Sequence, residues 1–69
     1  MARKIWSEPG NPGNEVSHQL GIARSQLRAA IHEIKASNDL SGPDRVIIYH
    51  DGTVTDQDGE YLGNIHDEL

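Results

Sequence analysis

The chain has no cysteine and no phenylalanine. The first absence excludes a disulfide staple and a thiolate metal site. The second leaves Trp6, Tyr49 and Tyr61 as the only aromatic side chains, so aliphatic residues must build most of the core. Small secreted domains usually carry disulfides. A cysteine-free chain of 69 residues therefore fits a reducing compartment better. Long apolar runs are also missing. The opening MARKIWSEPG offers only Ile5 and Trp6 after its cations, where a signal peptide needs about 7–15 apolar residues. Nothing approaches transmembrane length, so no membrane contact is expected. The last four residues spell HDEL, a receptor-read retrieval address of the endoplasmic reticulum. With no leader expected, that motif reads as a fortuitous acidic tail, and the site of action as cytoplasmic.

A chain of 69 residues makes one small domain. Such a domain buries about 60% of its unfolded surface and keeps a stability margin of roughly a few kcal/mol. The net charge is −5, unevenly placed. Residues 1–35 hold Arg3, Lys4, Arg24, Arg28 and Lys35 against Glu8, Glu15 and Glu33, a balance of +2. Residues 36–69 hold Arg45 against Asp39, Asp44, Asp51, Asp56, Asp58, Glu60, Asp67 and Glu68, a balance of −7. Aspartates collect in turns for conformational reasons, and the acidic half is rich in turn signals.

Residues 8–14, EPGNPGN, read as a loop. Before them Lys4–Ser7 suits a short edge strand or a tethered arm. Residues 1–14 are thus an N-terminal arm and loop, and 15–69 a single α+β domain. Asn14 suits an N-cap and Glu15 the positive end of a short helix. Gly21 suits the left-handed position that ends it. The segment IARSQLRAAIHEIKASN carries the strongest periodicity: Leu27, Ile31 and Ile34, with Ala30 beside them, predict a helix over 23–37 packed on one side. Asn38 closes it. In the linker DLSGPD, Pro43 forbids continuation.

Over 46–65 the period changes. VIIYH-DG-TVTDQ-DG-EYLGNI sets β-formers around two Asp-Gly steps, the pair that two-residue hairpin turns prefer. The expected fold is α+β: a short helix plus one long helix packed on a three-stranded antiparallel β-meander. Two-residue turns would put Ile47, Tyr49, Val54 and Tyr61 on the buried face. They would put Val46, Ile48, His50, Thr55 and Leu62 on the other. A longer second turn would shift the register and flip the last strand.

At 100° per residue, Arg24, Arg28, His32 and Lys35 form a second stripe on the long helix, roughly 100° from the apolar one. Glu33, the helix's only acid, points to the far side. Arg and Lys stabilise charge on a phosphoryl oxygen, and a histidine moves a proton near pH 7. RNA cleavage without a metal needs little more, because the 2′-hydroxyl is the nucleophile. His32 is the candidate acid or base, Lys35 and Arg28 candidate phosphate contacts, Arg24 a further binding residue. His50, at a hairpin end, is a candidate second acid or base. The plain alternative is a solvated amphipathic face whose long stems cover the apolar rim. His18, on the short helix, could serve as a second acid or base or be an ordinary surface histidine, and His66 reads as tail.

Other chemistry is excluded by spacing. TVTDQDGE suggests a calcium loop, but its register would put Val54 and Ile65 where the ion needs carboxylates. The histidines lack paired zinc spacing, and no phosphate-cradling glycine loop exists. No metal or cofactor is expected. EVSHQLGIARSQLRAAI does have the cadence of a helix-turn-helix, with Ser17 as the small residue, Gly21 as the turn, and Ile22 and Leu27 as core. Arg24, Ser25, Gln26 and Arg28 would then face a DNA groove and the hairpin would be a wing. Against it stands the acidic half, since DNA readers carry a net basic surface. A third reading is a non-catalytic module whose acidic half meets a basic partner.

LGIARSQLRAAIHEIK followed by DRVIIYHDGTVTDQDGEYLGNIHDEL resembles the C-terminal toxin modules of bacterial polymorphic toxins of the Rhs and contact-dependent inhibition kind. The resemblance rests on Ala30, Ile31, His32, Ile34 and Lys35, then Val46, Ile48, Gly52, Val54, Asp56, Gly59, Glu60, Leu62, Gly63 and Asn64. It covers residues 20–69. It implies a small α+β nuclease, acting on RNA after delivery from another cell, with a dedicated immunity protein.

Overall fold

The computed structural model describes residues 2–8, 10, 12–40 and 45–69. The element order is β1 (Lys4–Ser7), α1 (Asn14–Leu20), α2 (Arg24–Ser37), β2 (Val46–Tyr49), β3 (Thr53–Asp56) and β4 (Tyr61–Asn64), closed by a 3-10 helix (Ile65–Glu68). The class is α+β, as expected. The sheet, however, has four strands in the order β1-β2-β3-β4, not three. The fourth is the N-terminal segment. It pairs antiparallel with β2, Trp6 opposite Ile48 and Ser7 opposite Ile47. Ile5 and Trp6 pack on the core, and that apolar burial is what draws a four-residue strand into the sheet.

The short helix begins one residue earlier than expected. Gly13 is its cap and Asn14 lies inside it, while the Gly13 carbonyl accepts from the Val16 and Ser17 N–H groups. Gly21 ends it with φ 71°, a left-handed turn that glycine adopts without strain. In α2, Leu27, Ala30 and Ile34 are buried, so the predicted stripe is the core face. Gln26 Oε1 accepts from the Ala23 N–H at 3.0 Å, tying off one free donor of the first turn. Asn38 closes the helix, donating from Nδ2 to the Ile34 carbonyl at 2.8 Å. Residues 41–44, with Pro43, lie outside the described residues, as do Met1 and, in the loop, Pro9 and Asn11.

The buried face of β2 is the opposite of the expected one. Val46 and Ile48 are buried, with Val54 of β3 beside them; Ile47 and Tyr49 are only half-buried, and Tyr61 is 62% exposed. The cause is loop length. Ile48 pairs with Val54 and Ile47 with Thr55, which leaves three residues, His50, Asp51 and Gly52, in the first loop. The Gly52 N–H donates to the Tyr49 carbonyl at 2.9 Å, and Gly52 has φ 91°. This is the three-residue hairpin that ends in a positive-φ bulge. One added residue turns every side chain of β2 over.

The second hairpin repeats the design. Gly59, φ 88°, donates to the Asp56 carbonyl at 3.0 Å. Thr55, itself buried, therefore faces Tyr61. A bulge between Val54 and Thr55 then restores Val54 opposite Gly63 on the core side. There Gly63 lets α2 come close: a Cβ would stand 3.4 Å from Ile34 Cγ1. Ile65, fully buried, brings the 3-10 helix under α2, so the expected loose tail is an ordered element whose first residue belongs to the core.

Candidate functional site

The cationic stripe of α2 divides in two. Arg24, Arg28 and His32 are exposed. Lys35 is not free: its Nζ donates to both carboxylate oxygens of Glu8, at 2.9 and 3.0 Å. Both side chains are only about a fifth exposed, so this pair is screened less than a surface one. Glu8 is itself fixed to β2. Its Oε1 accepts from the Val46 N–H at 3.0 Å, and its own N–H donates to the Val46 carbonyl at 3.1 Å. One carboxylate thus joins β1, β2 and α2.

Beside this junction lies a half-open cleft of about 90 Å³, lined by Trp6, Glu8, Gly10, Pro12, Arg28 and Ile31. Trp6 reaches it because its register with Ile48 puts it on the helix side of the sheet. Ile31 comes from the edge of the apolar stripe and Arg28 from the cationic one. His32, four residues after Arg28 and three before Lys35, stands on the rim of the same helix face, within about 5–6 Å of each between Cβ atoms. The cleft therefore offers an aromatic ring, an aliphatic wall, a guanidinium and a carboxylate, and His32, outside its lining, follows Arg28 by one helical turn.

His50 is elsewhere. Its N–H donates to the Arg3 carbonyl at 2.8 Å, at the start of β1, whereas Glu8 sits past the end of β1 beside Val46. Four residues of strand, roughly 13 Å, separate the two positions. His50 belongs instead to a polar cluster around the first hairpin loop. Ile65 N–H donates to the Gly52 carbonyl at 2.8 Å, Asn64 Nδ2 to the Asp51 carbonyl at 3.3 Å, and His66 N–H to Asn64 Oδ1 at 2.9 Å. The His66 ring lies against Gly52, where an added Cβ would stand 2.6 Å from Cδ2. The Thr53 N–H and hydroxyl, with a smaller contribution from His50, hold the Asp51 carboxyl below its ordinary value. Among the described residues, no group of three or more histidines and carboxylates is placed to hold a metal ion.

So Arg24, Arg28, His32 and Lys35 share one helix face, with Lys35 engaged, and His50 is apart from them. Sequence reasoning missed Trp6 and Glu8, which the cleft needs. The available signal was Ile5-Trp6 in a four-residue β-prone segment; nothing local says that Glu8 meets a lysine 27 residues on. Comparison with protein families, with curated proteins and with solved structures finds no match to this chain. No described helix is long and apolar enough to cross a membrane.

Proposed function

We propose that the domain is a toxin-type ribonuclease module that cleaves RNA without a metal, at the rim of the Trp6–Arg28 cleft. The observation that carries the reading is the meeting of Arg28 and Trp6 at one concave site with His32 one helical turn along. In the step, His32 takes the proton of a 2′-hydroxyl and the freed oxygen bonds to phosphorus. The P–O5′ bond breaks, and the proton passes to the departing 5′-oxygen. Arg28 and Arg24 stabilise the added negative charge on the phosphoryl oxygens. Lys35 is engaged with Glu8, and His50 has no part at this end of the sheet. The resemblance to polymorphic-toxin tips supports the same reading and adds an immunity protein as partner and delivery from another cell.

His32→Ala is expected to abolish RNA cleavage and leave the fold intact. Exposed substitutions of this kind change stability by under ~0.5 kcal/mol, and alanine favours helix. Glu33→Ala, on the far side of α2, should be nearly silent. A parent protein that leaves RNA uncut, or a His32→Ala variant that cuts as before, overturns the assignment.

A second reading, DNA binding, is favoured by one observation. α1 is followed by the left-handed Gly21 and then α2, with Arg24, Ser25 and Arg28 exposed on α2. Gln26 is tied to the Ala23 N–H at its start. Duplex affinity that falls steeply with salt and depends on Arg24 rather than His32 would favour it.

A further inference from the structure

Phosphate chemistry uses the cations and leaves the rest of the cleft unexplained. An isolated phosphate has no use for an indole and an isoleucine wall, and a carboxylate repels it. These groups suit a planar, partly apolar ring that carries N–H donors on its edge. An enclosed cavity of roughly 150 Å³ holds benzene. At about 90 Å³ and half open, this cleft takes a ring partway, with one face covered and one side left in solvent. That is how a base must enter while joined to its sugar.

We propose that the cleft binds one unpaired base of single-stranded RNA, stacked on Trp6, with its adjoining phosphate on Arg28. Choosing RNA rests on the ribonuclease reading; the base site itself follows from the cleft. Glu8 orients the base. Its Oε1 already accepts from Lys35 and Val46, but among the described residues its Oε2 accepts from Lys35 alone. A carboxylate oxygen takes two hydrogen bonds, so Oε2 has one position left for a base N–H. With Lys35 engaged on Glu8, Arg28 is the cation among the described lining residues that is left for the phosphate. A base within a duplex is stacked on its neighbours and cannot enter a concave site, whereas an unpaired base can stack on an aromatic side chain.

Trp6 is the only tryptophan, so fluorescence excited at the red edge, where Tyr49 and Tyr61 do not absorb, reports on this site alone. The test uses the full chain with His32→Ala, so that the RNA stays whole. A short, unstructured, mixed-sequence RNA strand is titrated in, alone and annealed to its complement. The single strand is expected to quench Trp6 and the duplex to leave it unchanged. Arg28→Ala, an exposed change that spares the fold, should weaken the single-strand affinity about tenfold, in line with loss of a charge-assisted phosphate contact. With a labelled strand followed by anisotropy, Trp6→Phe should retain binding that Trp6→Ala loses. Unchanged fluorescence at saturating single strand, or equal quenching by duplex, overturns the proposal even if the parent cleaves RNA. Quenching by the single strand in a parent that never cleaves upholds the base site and overturns the ribonuclease reading instead.

Discussion

Gly52 and Gly59 hold the same place in successive hairpins and differ in what surrounds them. Both have positive φ, 91° and 88°, a conformation that costs other residues about 1–3 kcal/mol. Around Gly59 nothing lies within 4 Å of an added Cβ. Around Gly52 that Cβ would meet His66 Cδ2 at 2.6 Å and Asn64 Oδ1 at 2.7 Å. Gly59→Ala should therefore lower stability by about 1–2 kcal/mol, a backbone cost alone. Gly52→Ala should cost clearly more, because Asn64 is also the cap that accepts the His66 N–H. Denaturant melts of the two variants decide this; equal losses would mean that the 3-10 helix yields freely. The Asp-Gly pairs announced both turns, yet not their length. A two-residue and a three-residue loop share the same glycine preference, and the difference turned β2 over.

Among the elements, β1 is an edge strand paired on one side, with β2, and Glu8, just past its end, is its far anchor. The carboxylate satisfies the Val46 N–H and half-buries a charge against Lys35. Glu8→Gln keeps an acceptor for Val46 and removes the ion pair; Glu8→Ala removes both. The expected losses are about 1 kcal/mol for Gln and about 2–3 kcal/mol for Ala, since the second also strands a backbone donor and the lysine. In a double-mutant cycle with Lys35→Met the coupling should fall near 1 kcal/mol. A coupling of zero would make Lys35 available to a ligand. The stripe of α2 was legible because helix periodicity is local: Leu27, Ala30 and Ile34 stand in one segment and are all buried. The same wheel put Arg28, which lines the cleft, on one face with His32. The cleft was not legible, because its other wall comes from β1, whose partner strand lies some forty residues on. Pairing at that range depends on which apolar face remains to be covered, and four residues carry too little pattern to announce it.

For the whole molecule the decisive fact is its size. The fully buried side chains are few, Leu27, Ile48, Ile65, Val46 and Val54 being the largest, and a domain this small keeps a margin of roughly 3–5 kcal/mol. One of these five belongs to the C-terminal 3-10 helix, so the end of the chain is part of the core. Ile65 lies under α2, and its N–H donates to the Gly52 carbonyl, locking the first hairpin against the last turn. Ile65→Ala removes a buried side chain from a core with no spare layer, at a cost of about 2–5 kcal/mol. That is comparable with the whole margin, so the variant should be largely unfolded at room temperature. Leu69 is 56% exposed, and Leu69→Ala should change the melting midpoint little. Both substitutions fall within residues 65–69 and differ only in which side chain is cut back. Circular dichroism melts compare them directly. A folded Ile65→Ala protein with a near-parental midpoint would show that the sheet and α2 hold together without their last turn.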